Sequence, residues 1–246
     1  MAVLNNTGIR MGASGAGGAA DYQVANSLRF NDDDTAYLNK TPSAAGNRKT
    51  WTWSGWVKRS NLSINTGLFI VSTYPSPASF VELRFNDDDE LEFSVYNTGS
   101  YPGRKISTAV YRESAAWYHI VGTFDTTNST ATDRMRLYVN GERVTDFSTS
   151  SDPTQNTESL INSTESHTIA RFSNSSSYSE YFDGYLADVN FVDGQALDAS
   201  SFGEEDEDTG QWVPKKYTHS TSDWHTVNDG TTWSDAITYS GSTGFG

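Results

Sequence analysis

The sequence contains no cysteine, and only 6 prolines and 4 histidines occur among its 246 residues. The lack of cysteine excludes disulfides, thiol catalysis and cysteine-ligated zinc. No apolar run approaches the roughly 18 residues that a membrane-spanning helix requires, so we expect no membrane insertion. The opening residues Met1 to Asn6 have neither a basic end nor an apolar stretch, and they predict no signal peptide.

Basic residues are also scarce. The chain has 17 Lys and Arg against 31 Asp and Glu, which gives a formal net charge of −14. A chain this acidic repels the phosphate backbone of nucleic acids. Nucleic acid is therefore not expected as a partner.

Aromatic residues, by contrast, are abundant, with 7 Trp, 13 Tyr and 12 Phe. Disordered chains lack aromatics, so this composition indicates a folded chain. From Ser27 to about Phe202 the apolar residues alternate with polar ones, as on Trp51, Trp53 and Val57, which share one face of a predicted strand at 50–58. Further strands are predicted at 67–73, 81–85, 91–95, 105–110, 117–124, 135–139, 167–172 and 185–191.

Turn chemistry supports this assignment. Asn140-Gly141 suits a type I′ hairpin, because both residues tolerate positive φ, and it predicts a returning strand at 142–147. A helical turn is expected only around 195–202. About a dozen short strands with one polar face each predict an all-β fold, a two-sheet antiparallel jelly-roll sandwich with an extended N-terminal arm and a C-terminal tail.

The composition divides the chain into three segments. Residues 1–26 form a flexible arm rich in Gly and Ala, 27–202 form the sandwich, and 203–246 form an acidic linker with a tail rich in Trp, Ser and Thr. The arm either stays mobile or becomes ordered against a neighbouring subunit. The five acids Glu204 to Asp208 are interpreted as a solvated loop.

No catalytic constellation is evident. A G-x-S-x-G elbow around Ser14 is incomplete, because Ala16 stands where the second glycine is required. Glu90 and Glu92 alternate as glycosidase carboxylates do, but Ser94 stands where a third acid would complete the set. His119 lies inside a predicted strand and is interpreted as a hydrogen-bonded structural residue. We expect a non-enzymatic protein without catalytic residues; a polysaccharide-cleaving enzyme is the least favoured reading.

Ligand binding is better supported, because aromatic side chains stack on sugar rings. The candidate ligand-binding residues are Tyr74, Tyr101, Tyr178 and Tyr181, which lie in or beside predicted loops. Packing in the core or at its rim is the alternative for each of them. The polar, tyrosine-bearing loop at 172–181 is the most site-like stretch.

One short sequence occurs twice. Leu28 to Asp34 reads LRFNDDD, and Leu83 to Asp89 reads the same. Two strands that end in Asn- and Asp-rich turns explain the repeat. Clustered carboxylates would also suit Ca²⁺, although the spacing of an EF-hand is missing.

Several segments resemble laminin G-like, concanavalin A-type jelly rolls. The paired-strand signature of these domains is similar to Trp117 to Asp125 followed by Arg136 to Gly141. Their early core strand is similar to Trp51 to Lys58, and their late strand is similar to Phe182 to Phe191, which Ala196-Leu197 follows. The resemblance implies the same sandwich fold and says little about function. It also implies rim sites for Ca²⁺ and glycans: by position, Asp125, Asn128 and Asp133 are the nearest match to metal ligands, and no cofactor is required.

The flanks resemble laminin G-like structural proteins of marine tailed bacteriophages. These segments are Asn5 to Arg10 with the Gly/Ala arm, Ser27 to Phe30, Ala36 to Leu38, and Thr209 to Tyr217. The resemblance implies a virion protein, assembled in the host bacterial cytoplasm and exposed as a capsid decoration or tail-fibre component. The arm or the tail would bind other virion proteins, and we expect a homo-oligomer, with a trimer as the guess.

Two functions from different classes therefore remain open. One is the non-enzymatic virion structural protein, and the other is a carbohydrate-binding, lectin-like module that recognises a host surface glycan. The two are compatible, because a decoration protein can also adhere to a host.

Overall fold

The computed structural model describes residues 22–73, 78–175, 178–218, 224–225 and 238–240, with side chains described for all of these except 173–175, 178–179, 225 and 238–240. Within these ranges the regular structure is almost entirely antiparallel β. The first strands are β1 (Leu28–Phe30), β2 (Tyr37–Lys40), β3 (Thr50–Arg59), β4 (Thr66–Ser72), β5 (Ser79–Phe85), β6 (Glu90–Asn97), β7 (Ser100–Val110), β8 (Tyr118–Asp125), β9 (Met135–Val139) and β10 (Glu142–Arg143).

The later strands are shorter, apart from one. They are β11 (Phe147–Ser151), β12 (His167–Ile169), β13 (Arg171–Ser175), β14 (Tyr178–Tyr181), β15 (Gly184–Asp193), β16 (Gly203–Glu205), β17 (Trp212–Pro214), β18 (Trp224–His225) and β19 (Thr238–Ser240). Two 3₁₀ turns occur at Ala131–Asp133 and Ala199–Ser201. No helix in the described ranges is long and apolar enough to cross a membrane.

Two sheets form the predicted sandwich. The seven-stranded sheet has the order β1-β15-β3-β8-β9-β10, with β18 also paired to β15. The eight-stranded sheet has the order β11-β7-β6-β5-β4-β12-β2-β19. Two separate hairpins, β13–β14 and β16–β17, pack beside these sheets. The two-sheet antiparallel architecture is confirmed.

The core lies between the inner faces of the two sheets. Trp51 on β3 stacks on Phe124 of β8 at a centroid distance of 5.4 Å and reaches Phe93 of β6, in the opposite sheet, at 5.6 Å. Trp53 packs on Phe69 of the opposite sheet in the same way. The alternation predicted for β3 is thus confirmed, because its odd-numbered aromatic residues fill the core.

Three local predictions are corrected by the structure. The returning strand after Asn140-Gly141 is only the two residues of β10, and the chain then crosses to the eight-stranded sheet as β11. The single strand predicted at 167–172 is interrupted at Ala170, whose φ of 67° ends β12. The acidic run is not simply a loop, because Glu204 and Glu205 belong to β16, although both remain exposed.

Both flanks of the sandwich cover the outer face of the seven-stranded sheet. Val24 packs with Trp56 and Ala187 there, and Trp212 of β17 joins the same cluster. The Tyr22 hydroxyl donates a 3.1 Å hydrogen bond to Asp188 on β15. The outer face of the eight-stranded sheet carries the β13–β14 hairpin instead, and that face holds the candidate site.

Candidate functional site

Alternation along β5 and β6 places charged side chains on the outer face of the eight-stranded sheet. Val81 and Leu83 point into the core, so Glu82 and Arg84 point outward. Across the ladder, Arg84 pairs with Glu92. Several charged residues therefore meet on one patch of the sheet.

We call Glu82, Arg84, Glu92, Arg104 and Glu180 the glutamate–arginine cluster. Arg84 Nη2 lies 2.9 Å from Glu92 Oε2, and Arg104 Nε lies 2.7 Å from Glu92 Oε1. Arg84 also reaches Glu82 and Glu180, each at 3.5 Å. The β13–β14 hairpin supplies Glu180, so the cluster joins four strands and one guanidinium contacts three carboxylates.

Burial separates the two signs of charge in this cluster. The side chains of Glu92, Glu82 and Glu180 are 0%, 2% and 6% exposed, whereas those of Arg84 and Arg104 are 16% and 27% exposed. The carboxylates thus lie beneath, and the guanidiniums form the surface that meets solvent.

The buried carboxyls respond differently to their surroundings. Burial raises the pKa of Glu82 to about 8, although Arg84 opposes the shift. Burial would also raise the pKa of Glu92, but Arg84, Arg104 and the Ser94 hydroxyl hold it below its usual range. The raised pKa favours the protonated form of Glu82 at neutral pH.

A row of aromatic rings borders the cluster. Phe80 stacks on Tyr96 at 4.8 Å, Tyr96 meets Tyr101 at 5.0 Å, and Phe172 of β13 contacts Phe80 at 5.4 Å. The Arg104 guanidinium lies 4.5 Å from the centre of the Tyr101 ring. Tyr101 is 39% exposed, whereas most large apolar side chains among the described residues are buried or half-buried.

The predicted ligand-binding tyrosines are not all brought together. Tyr101 lies in the aromatic row, whereas Tyr181 lies beside Arg171, whose guanidinium is 4.5 Å from the Tyr37 ring and 5.6 Å from the Tyr181 ring. Tyr74 and the side chain of Tyr178 lie outside the described residues. The segment at 172–181, predicted as a loop, largely forms the β13–β14 hairpin.

The carboxylates of the cluster are poorly placed for catalysis. Glycoside hydrolysis needs two carboxyl groups that reach the scissile bond. Glu92 is fully buried and is held by two arginines, and Glu82 is also buried. Glu90, the other member of the predicted alternating pair, accepts a 2.9 Å hydrogen bond from Asn86 instead. What this arrangement can do as it stands is hold Arg84 and Arg104 in fixed positions.

Sequence reasoning missed Glu82, Arg84, Arg104 and Glu180. A signal existed, because Glu82-x-Arg84 and Glu92-x-Ser94 place polar or charged residues at alternate positions of two neighbouring strands. The register that sets these residues side by side depends on pairing between strands.

The residues predicted to bind Ca²⁺ have separate partners. Asp125 Oδ1 accepts a 3.1 Å bond from the amide of Thr127, and Asn128 Oδ1 accepts a 2.8 Å bond from the amide of Thr130. Asp133 pairs with Arg143 at 2.6 Å. In the described parts of the chain, no three His, Asp or Glu residues form a group that could hold a metal ion.

The repeated LRFNDDD segments also differ in their surroundings. Asp89, the last acid of the second copy, is fully buried, with Arg59 and Arg112 at 2.9 and 2.8 Å and the Ser63 amide at 2.7 Å. The equivalent acid of the first copy, Asp34, is only partly buried and accepts a 2.9 Å hydrogen bond from Asn31. The second acidic turn is therefore neutralised by arginines.

His119 agrees with the structural role predicted for it. It is fully buried on β8, and its two ring nitrogens contact Ser54 Oγ and Trp212 Nε1, each at 2.9 Å. Burial lowers its pKa to about 3.

The sequence of this chain matches a known protein family. The Laminin_G_3 family, described as the concanavalin A-like lectin/glucanases superfamily, matches residues 30–201. The chain belongs to this family. The predicted laminin G-like fold is thereby confirmed, and a search of the curated proteins gives no match.

This laminin G-like domain is also similar to several solved structures. Domains LG4-5 of the mouse laminin alpha1 chain are 11% identical, with a TM-score of 0.50; the match covers 85% of this chain and 49% of the laminin fragment. The native heptameric SAP-like pentraxin from Limulus polyphemus is 15% identical, with a TM-score of 0.47 and coverage of 70% and 75%. The Ruminococcus gnavus IT-sialidase CBM40 is 10% identical, with a TM-score of 0.46 and coverage of 72% and 95%. The laminin match shows the fold alone.

Proposed function

We propose that this chain is a non-enzymatic, lectin-like carbohydrate-binding module whose ligand contacts lie around Tyr101 and Arg104. The observation that carries the proposal is an exposed tyrosine beside a guanidinium held in place by a buried carboxylate. Aromatic faces suit the apolar faces of sugar rings, and fixed polar donors orient the hydroxyl groups.

The two outer faces of the sandwich support this location. The flanks of the chain cover the seven-stranded sheet through Val24, Trp212 and their neighbours. The patch around Tyr101 keeps a polar and aromatic surface that meets solvent. Membership of a superfamily named for lectins and glucanases agrees with carbohydrate binding as a class.

A glycan array that includes neutral and acidic bacterial oligosaccharides tests the proposal. The array is run with and without Ca²⁺, because the proposed binding requires no cofactor. We expect binding that is lost in Tyr101→Ala and kept in Tyr185→Ala, a matched tyrosine on the seven-stranded sheet that packs near Trp117. An array without any bound glycan, or equal binding by both variants, would contradict the module or its location. Release of reducing sugar from a bound oligosaccharide would contradict the non-enzymatic assignment.

We further propose that the module is part of a tailed-phage virion, exposed as a capsid decoration or tail-fibre protein. The phage-like flanks support this role, together with their placement: Tyr22 and Trp212 both bind the outer face of the seven-stranded sheet. The protein would then form a homo-oligomer such as a trimer and contact other virion proteins through the outer face of the seven-stranded sheet. The Tyr101 patch would face the host.

A cryo-EM map of the intact particle tests this second proposal. We expect density for the sandwich on the shell or the tail, with Tyr101 directed outward. Deletion of residues 1–21 should reduce incorporation without unfolding the sandwich, which circular dichroism would check. Absence of the protein from the particle would overturn the virion role, and undiminished incorporation of the deletion variant would exclude docking through the arm.

A further inference from the structure

The Arg104 guanidinium uses only one of its five N–H groups in hydrogen bonds to described residues. Its Nε donates to Glu92 at 2.7 Å, and its guanidinium lies over the Tyr101 ring. The four N–H groups on Nη1 and Nη2 have no partner among the residues that the structure describes. A guanidinium fixed through Nε presents these remaining donors as a planar fork.

We propose that Arg104 binds a negatively charged group of the sugar, so that the ligand of this module is an acidic glycan that carries carboxylate or sulfate groups. This inference rests on the proposed carbohydrate-binding function and goes further by naming the class of ligand and the residue that selects it.

The layering of charge in the glutamate–arginine cluster supports an anionic ligand. The whole chain carries a formal net charge of −14, yet the carboxylates of this patch are buried and its arginines are partly exposed to solvent. Arg84 contacts Glu82, Glu92 and Glu180, whereas Arg104 pairs with Glu92 alone among the carboxylates of the cluster. An anion that approaches the patch therefore meets guanidinium before it meets carboxylate.

The groups around Arg104 also make the fork rigid. Glu92 is itself held by Arg84 from β5, and the Tyr101 ring supports the guanidinium by a cation–π contact. A side chain that is already ordered loses little entropy when it binds, so a charge-assisted bidentate contact gives a large gain. Neutral hydroxyl groups could accept the same hydrogen bonds, but they would lack the charge.

The test uses the full chain and matched probes. The probes are alginate oligosaccharides and their carboxyl-reduced forms, and carrageenan oligosaccharides and their desulfated forms, measured by isothermal titration calorimetry. We expect at least one acidic parent to bind about tenfold or more tightly than its neutral form. The parent that binds identifies the anionic group as carboxylate or sulfate.

Variants then assign the selection to Arg104. Arg104→Gln should remove the preference for the acidic form, and Arg104→Lys should keep part of it, because lysine retains the charge but not the fork. Arg143→Gln is the control, since Arg143 is an exposed, ion-paired arginine on β10, the last strand in the order of the seven-stranded sheet. Thermal unfolding of each variant separates loss of selection from loss of folding.

Two failures can be told apart. If neutral forms bind as tightly as their acidic parents, or if Arg104→Gln keeps the preference, the inference about acidic ligands is overturned while carbohydrate binding stands. If neither acidic nor neutral probes bind, the inference falls, and the glycan array decides whether the proposed function falls with it.

Discussion

Trp212 donates a 2.9 Å hydrogen bond from its indole Nε1–H to Nδ1 of His119, although 93 residues separate them in the chain. Indole N–H only donates, so Nδ1 is the acceptor and the neutral ring carries its proton on Nε2, 2.9 Å from Ser54 Oγ. The bond attaches the C-terminal flank to β8, a central strand of the seven-stranded sheet.

Trp212→Phe should destabilise the protein by about 1–3 kcal/mol, because it leaves the buried Nδ1 of His119 without a donor. Urea denaturation measures the free energy of unfolding. Trp117→Phe is the matched control, since Trp117 Nε1 has no hydrogen-bond partner in the described part of the chain. Equal costs for the two variants would contradict a stabilising role for the Trp212–His119 bond.

Much of the sandwich could be predicted from local sequence. Alternation on Trp51, Trp53 and Val57 predicted the core face of β3. Asn140-Gly141 predicted the turn between β9 and β10, where the two residues have φ of 49° and 87°. These features depend on one strand or one turn. They can be read without knowledge of which strands are neighbours.

The candidate site, in contrast, depends on contacts between distant segments. Arg84 and Glu180 are 96 residues apart, and the hairpin that brings them together is rich in serine, a residue that is common in turns. The strand structure of β13 and β14 therefore depends on their pairing with each other and on their packing against β4. Tyr101 was predicted as a ligand-binding residue because a tyrosine beside a turn is visible in the sequence, and that assignment stays a prediction, whereas Arg104 was not singled out.

Glu82→Gln should change how stability depends on pH. An acid with a higher pKa in the folded state binds more protons when folded, so its contribution to the free energy of unfolding falls as pH rises between the two values, here from 4.5 to about 8. Near pH 5 the neutral Glu82 resembles Gln and the two proteins should be similarly stable. At pH 9 the variant should be the more stable one.

Urea denaturation at pH 5 and pH 9 measures this difference. Glu142→Gln serves as the control, because Glu142 is exposed on β10 and the same substitution should give no pH-dependent gain. A Glu82→Gln effect of the same size at both pH values would contradict a proton held on Glu82. The groups facing Glu82 in this experiment are Arg84, Glu92, Glu180 and Arg104.

Asp89→Asn should cost about 3–5 kcal/mol, because it leaves the buried guanidinium of Arg59 without its anion. Burial alone would raise the pKa of Asp89, but the Ser63 amide and the two arginines lower it to about 2. This stabilisation is present above the unfolded value of 3.8 and is lost as pH falls toward 2.

Chemical denaturation at pH 7 compares this variant with Asp88→Asn, the same substitution at the exposed neighbouring position. The control should cost well under about 1 kcal/mol. A small cost for Asp89→Asn would show that the Arg59–Asp89 pair contributes little. Convergence of wild type and Asp89→Asn as the pH is lowered would support the assigned charge state.

Gly141→Ala should be more costly than Gly99→Ala, although both glycines have positive φ, of 87° and 95°. Alanine in this left-handed region costs about 1–2 kcal/mol at either position. At Gly141 the new Cβ would also lie 2.6 Å from the Trp212 ring, whereas at Gly99 no atom lies within 4 Å in the described structure. We expect an extra cost of about 1–3 kcal/mol at Gly141 from this overpacking. A double-mutant cycle with Trp212→Ala measures the contact: the difference between the two glycine variants should shrink when the indole is removed, and a difference that persists would locate the strain in the turn itself.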